Sequence, residues 1–236
     1  MSAEQRLQEI RQEIINCQLC QLAKGRLNAV PGEGPSRVDI MFIGEAPGFH
    51  ENKQGKPFVG QAGQFLDELL EAAGVNRDQV FITNVVKCRP PNNRDPLPEE
   101  LTACQRYLDE QIELLDPKVI VTLGRISMAK FVIDGRISAI HGRTHNVDNR
   151  KVVTMYHPAA ALHQPALRQT LIEDFKRLKR FITPPTAPRL EPEPAAQHSA
   201  PVIQPTIDER VIEKAEEQIS PNDSEYQKPP EQLRLF

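Results

Sequence analysis

Val38-Asp39-Ile40-Met41-Phe42-Ile43-Gly44 runs into Glu45-Ala46-Pro47-Gly48, and a second punctuated stretch comes soon after, Gly55-Lys56-Pro57-Phe58-Val59-Gly60-Gln61-Ala62-Gly63. The opening run is short, apolar and bounded by turn residues, the pattern of a buried strand. The residues beyond Gly44 are too glycine-dense for ordinary core and too punctuated for a linker. Each Gly or Pro fixes a backbone conformation that other residues reach only with strain. Placed just beyond a strand, such a stretch shapes a pocket.

Outward from that point, strands and helices alternate. Residues 79–86, 118–123 and 152–156 read as further strands. Residues 64–74, 99–115, 126–133 and 167–182 carry helical spacing, with Phe65, Leu66, Leu69 and Leu70 as the apolar stripe of the first. Alternation of this kind predicts an α/β domain, a three-layer α/β/α sandwich around a central, mostly parallel four-stranded sheet. Ligands bind beyond the carboxyl ends of strands in that architecture. Gly44 and Glu45 end the first strand, Asn84 lies late in the second and His157 follows the fourth.

The predicted domain spans residues 1–182. Ten of the 21 prolines fall in the last 54 residues, which hold 5 Lys/Arg against 10 Asp/Glu. Residues 183–236 therefore read as a disordered acidic tail. The net charge of −3 argues against a strongly basic nucleic-acid binder, but the tail hides a body of about +2. The amino-terminal residues are charged and helix-forming rather than a signal peptide, and no window suits a membrane span. The chain reads as cytoplasmic, where four cysteines are poor candidates for structural disulfides.

Cys17-x2-Cys20 follows the first helix, and Cys88 and Cys104 flank a loop and half a helix. Four thiolates suit an iron–sulfur cluster or a structural zinc. The spread of the second pair favours the cluster, because zinc more often draws on two tight pairs.

The ordered set Cys-x2-Cys, Gly44-Glu45-Ala46-Pro47-Gly48, Gly55-Lys56-Pro57-Phe58-Val59-Gly60, Thr83-Asn84-Val85-Val86-Lys87-Cys88-Arg89-Pro90-Pro91 and His157-Pro158-Ala159-Ala160 resembles the iron–sulfur (family 4) uracil-DNA glycosylases. The resemblance covers about residues 10–182. It implies a 4Fe–4S cluster on Cys17, Cys20, Cys88 and Cys104, and hydrolysis of the N-glycosidic bond of deoxyuridine in DNA. It implies a substrate pocket holding Gly44, Ala46, Glu51, Phe58 and Asn84. Phe58 is similar to the family's stacking aromatic, although without the motif a core phenylalanine is the favoured reading. Asn84 has an amide that can accept from uracil N3–H and donate to a carbonyl, the reverse of cytosine's pattern; from sequence alone a turn-capping asparagine is an equal reading.

His157 and Glu45 are the catalytic candidates. A hydrogen bond from His157 to uracil O2 would strengthen as negative charge develops there. Glu45 is placed to stabilise the positive sugar or orient water, since Ala46 stands where better-known uracil glycosylases carry a water-activating aspartate. Glu51 resembles the residue that crowds the uracil C5 edge and excludes thymine. Leu162 is the candidate DNA wedge. Arg143, Lys87 and Arg125 are candidate phosphate contacts.

The chain ends Gln232-Leu233-Arg234-Leu235-Phe236, which resembles the peptide by which bacterial proteins dock on the replicative sliding clamp. The expected molecule is thus a nucleoid-associated monomer that initiates base excision repair. A non-catalytic or uracil-trapping iron–sulfur DNA-binding protein is the second reading. The short, proline-rich Arg89–Pro96 loop lacks the basic, histidine-bearing insertion expected of a trapping relative.

Overall fold

A single sheet organises the computed structural model, which describes residues 1–181. Its strands are β1 (Ile40–Gly44), β2 (Phe81–Asn84), β3 (Val119–Leu123), β4 (Thr144–Val147) and β5 (Arg150–Met155), in the order β2-β1-β3-β5-β4. β1 pairs in parallel with β2 and β3, and β3 with β5, whereas β4 runs antiparallel to β5. The expected three-layer, mostly parallel architecture holds, with a fifth, edge strand added to the four read from sequence.

β4 escaped the sequence reading for a physical reason. Thr144-His145-Asn146-Val147 carries one aliphatic residue and alternates exposed with half-buried positions, so it lacks the apolar run of a central strand. The turn into β5 is made by Asp148 and Asn149, both left-handed at φ 47° and 62°. Positive φ at two successive residues is the primed-turn geometry that suits a tight hairpin.

The helices are α1 (Ala3–Asn16), α2 (Leu22–Gly25), α3 (Phe49–Gln54), α4 (Gln61–Ala73), α5 (Pro98–Leu115), α6 (Arg125–Ala129), α7 (Ile137–Ile140), α8 (Pro158–His163) and α9 (Leu167–Lys176). A 3-10 turn, Arg177–Phe181, closes the described chain. The two-residue period of the buried strands sorts their side chains into two cores. Ile40, Phe42, Val119, Val121, Leu123, Val153 and Met155 face α4 and α9, packing on Leu66, Leu69, Leu70, Leu171 and Phe175. Met41, Ile43, Ile120 and Val152 face α5, against Leu108, Ile112 and Leu115. Each buried leucine or phenylalanine contributes about 1.5–3 kcal/mol, which is why the α4 stripe fixes that helix on the sheet.

α1 begins in a capping box of Ser2 and Gln5 and buries Ile10 and Ile14 beside α5. α5 starts with Pro98 at its first position, and the Glu100 carboxylate accepts the Leu97 N–H at 2.8 Å. Arg94 pairs with the same carboxylate and holds it below the usual carboxylate range. Loop residue Glu33 exchanges both backbone hydrogen bonds with Ile82, covering the outer edge of β2. Among the described residues no helix is long and apolar enough to cross a membrane. The tail from residue 183, with Gln232, Leu233, Leu235 and Phe236, lies outside the described residues.

Candidate active site and cysteine pocket

The carboxyl ends of β1, β2 and β5 bring four of the expected residues together. A methyl group built on Gly44 would lie 2.3 Å from Asn84 Oδ1 and 2.7 Å from Phe58 Cζ, so only glycine admits both neighbours. The Phe58 ring lies against the His157 ring with centroids 5.6 Å apart and planes 26° from parallel. Gly44, Phe58, Asn84 and His157 therefore share one small volume.

The Phe58 backbone is held in a conformation that phenylalanine resists. Its φ is 51°, in the left-handed region, at a typical penalty of about 1–2 kcal/mol. Two features enforce it. Glu51 Oε1 accepts hydrogen bonds from Val59 N at 2.8 Å and Gly60 N at 2.9 Å. The opening of α4 then crosses so closely that a Cβ on Gly63 would sit 2.0 Å from the Phe58 carbonyl oxygen. Glu51 thus reaches the site through the backbone of the Phe58 loop, a link that residue spacing does not reveal.

Asn84 is 1% exposed, and its Oδ1 has no hydrogen-bond partner among the described residues. A buried, unpaired amide oxygen is destabilising by about 1–3 kcal/mol, so it marks a place where a ligand donor is expected. His157 caps α8: its Nδ1 accepts the Ala159 N–H at 3.1 Å. That bond places the remaining ring proton on Nε2. Although the ring is half-buried by surface, its surroundings are dry enough to push its pKa down to about 4, with Glu51 opposing. The imidazole is therefore neutral at pH 7 and a donor through Nε2.

Glu45 lies beside Asp95 and Arg125, which pair with each other at 2.5 Å. Burial raises its pKa, Asp95 adds to the rise and Arg125 opposes it.

A sequence model of the uracil DNA glycosylase superfamily matches residues 31–179. The type-4 uracil-DNA glycosylase of Sulfurisphaera tokodaii is 50% identical over 190 residues, covering 75% of this chain and 86% of that protein. The chain belongs to the type-4 uracil-DNA glycosylases. Two further relatives of that name show the same breadth. The Archaeoglobus fulgidus protein is 46% identical over 73% of this chain and 91% of its own length. The Thermotoga maritima protein is 42% identical over 76% and 96%.

Ala46, like the half-buried Cys17 and Cys20, packs against the buried cluster that holds Ile14, Val86 and Cys88. Leu162 is 42% exposed on α8, whose amino-terminal cap is His157. Arg143 and Arg125 are exposed, as a phosphate contact requires. Lys87 is buried, which corrects its reading as a phosphate contact: its ammonium points into the protein.

None of the four cysteines is paired in a disulfide. All of them line one pocket with Ile14, Arg26 and Tyr107. Arg26 Nη1 donates to Cys88 Sγ at 3.1 Å, and the Lys87 and Leu19 N–H groups approach Cys104 and Cys17 Sγ at 3.3 and 3.5 Å. Burial raises the Cys88 thiol pKa and carries that of Cys104 to about 11. Among the described residues no three His, Cys, Asp or Glu side chains gather tightly enough to hold one metal ion. The donor set fits a cluster, whose ligands each take a different iron around a larger body.

Proposed function

We propose that this protein excises uracil from DNA by hydrolysing the N-glycosidic bond of deoxyuridine, as its membership of the type-4 uracil-DNA glycosylases indicates. The observation that carries the residue-level reading is the orphaned Asn84 Oδ1 beside Phe58 and Gly44. Uracil supplies the missing donor at N3–H, while cytosine presents an acceptor there.

An enzyme acting on a base must take it out of the stack and read its edge in a closed pocket. In this reading uracil stacks on Phe58, Asn84 reads N3 and O4, and His157 donates from Nε2 to O2. Bond cleavage leaves negative charge on uracil, so the His157 hydrogen bond strengthens towards the transition state. A neutral imidazole can perform that task, because with Nδ1 accepting from Ala159 N its one ring proton is on Nε2. Glu45 faces the sugar, where an ionised carboxylate stabilises oxocarbenium character or orients water. Glu51 sets the place of the Phe58 ring and, through it, the room left at C5, where thymine carries a methyl group. Leu162 enters the duplex as the base leaves.

Cys17, Cys20, Cys88 and Cys104 would hold a 4Fe–4S cluster, which supplies a covalent staple between the α1 end, the loop after β2 and α5. The carboxyl-terminal Gln232-Leu233-Arg234-Leu235-Phe236 would carry the enzyme to the sliding clamp. Deleting residues 232–236 should abolish capture by the clamp while sparing activity on short oligonucleotides; equal capture would rule out the tail as the docking peptide.

The test of the activity is an end-labelled single-stranded oligonucleotide with one deoxyuridine, incubated with protein and then treated with or without alkali. Cutting at uracil only after alkali, with a thymine control intact, is the expected result. No cutting by protein that retains its iron and sulfide would favour the uracil-trapping or binding reading.

A further inference from the structure

Three residues beyond Asn84, the same strand end carries a lysine that the excision scheme leaves unused. Lys87 is 1% exposed, although burying an ammonium is unfavourable by several kcal/mol unless it is fully hydrogen-bonded. Its Nζ turns back on its own strand and donates to Thr83 Oγ1 at 2.6 Å, to Gln111 Oε1 at 2.7 Å and to the Asn84 carbonyl at 2.9 Å. Thr83 Oγ1 and Gln111 Nε2 both pass hydrogen bonds on to the Pro31 carbonyl, at 3.1 and 2.8 Å. The Lys87 backbone is fixed as well. Its N–H meets Cys104 Sγ at 3.3 Å, and its carbonyl accepts from Val30 N at 2.7 Å. The end of β2, the Val30–Pro31 loop, α5 and the cysteine pocket thus meet at one side chain.

We propose that Lys87 is a positioning residue for uracil excision: it clamps the Asn84 carbonyl so that the Asn84 amide stays aimed into the base pocket with its oxygen unpaired. The proposal rests on the reading of that pocket as the uracil site. An unpaired buried amide relaxes towards any partner within reach, so something must hold its backbone. Three donors spent on the residues around Asn84 supply that restraint, and Gln111 anchors it to a long helix rather than to a loop. The same residue borders the cysteine pocket, which joins the order of that pocket to the aim of Asn84.

The test is Lys87→Met, which keeps most of the length of the side chain and removes its donors, made in the full-length protein purified with its iron and sulfide. A misplacement of about 1 Å lowers rates by up to about 100-fold. The expected result is a single-turnover excision rate down by about 10- to 100-fold. Inhibition by free uracil should weaken by about tenfold, the equivalent of about 1.4 kcal/mol. Affinity for abasic-site DNA should stay within about twofold, where a general structural defect would weaken it together with the rate. A crystal structure of Lys87→Met should show the Asn84 amide displaced or turned onto a new partner. An amide superimposable on the wild type, or unchanged inhibition by uracil, would overturn the proposal. Should Lys87→Met fail to fold, Thr83→Val removes one acceptor of the socket at constant volume. It should weaken uracil inhibition severalfold, and an unchanged constant would overturn the clamp equally. If the wild-type protein excises no uracil, the functional reading fails on its own, and the position of the Asn84 amide still decides the clamp.

Discussion

Asn84 and Lys87 stand three residues apart, each 1% exposed, and the protein treats their polar atoms in opposite ways. Lys87 Nζ meets three oxygens within 3 Å, whereas among the described residues Asn84 Oδ1 has no donor. Around Lys87, polar groups are matched to one another and to the cysteine pocket, as buried groups in a stable interior are. On the base-pocket side they stay open, and the backbone carries strain, as at Phe58 with φ 51°. Lys87 satisfies its chemistry internally, whereas in the proposed reading Asn84 leaves its oxygen for the ligand.

The contrast predicts two modes of failure, and the largest effect belongs to the matched side. With the proposed cluster in the cysteine pocket, Cys104→Ser should lose its visible absorbance and several kcal/mol of stability, lowering Tm on the order of 10 °C. Activity should fall only because the protein unfolds. A Tm within about 2 °C of wild type would show that the cysteine pocket does not staple the fold.

His157→Asn belongs to the open side. Asparagine can still cap α8, so Tm should hardly change while the excision rate falls about 100- to 1,000-fold, the usual loss for one transition-state donor. Loss of stability without loss of rate in the folded fraction would reverse the assignment of His157. Glu51→Ala lies between the two modes. It strips two backbone N–H groups of a charged acceptor, worth about 1.5–3 kcal/mol each, and should cut kcat/KM about 10- to 100-fold while raising the relative rate on thymine. An unaltered preference between uracil and thymine would detach Glu51 from the Phe58 loop's role.

The smallest effect is in the pH profile. Burial and Asp95 raise the Glu45 pKa, so on acidification it protonates before an ordinary carboxylate does. Excision that needs the ionised form should fall as pH is lowered, and Glu45→Gln should remove that limb. His157, with its pKa pushed down to about 4, should add no break near pH 6.5. Because that folded-state value lies below the ordinary histidine value, the contribution of His157 to stability is complete above about pH 6.5 and is lost as pH falls towards 4. A break near pH 6.5 that disappears in His157→Asn would show the ring to be charged in the working site.

Much of this contrast was legible in the sequence because it rests on local signals. The apolar run of β1 ending in Gly44, the glycines around Phe58, Asn84 late in one strand and His157 after another are matters of periodicity and backbone sterics; their joint role is what the family resemblance implies. The burial of Lys87 was not legible, because a lysine after a strand reads as a surface charge until α5 brings Gln111 over it from 24 residues away. The hydrogen bonds of Glu51 to Val59 and Gly60 were hidden for a similar reason: they depend on how α3 folds back on the next loop. Asp95 beside Glu45, and the polar edge strand β4, likewise depend on tertiary contacts. A Gly-Lys-Pro-Phe run signals a shaped loop, but not which carboxylate holds it.

The central claim is that the unpaired Asn84 oxygen is the group that reads uracil. Single-turnover excision by Asn84→Ala, measured beside its affinity for abasic-site DNA, tests it most directly. The predicted rate is at least about 100-fold below wild type with abasic-site binding unchanged. A rate within about threefold of wild type would contradict the claim.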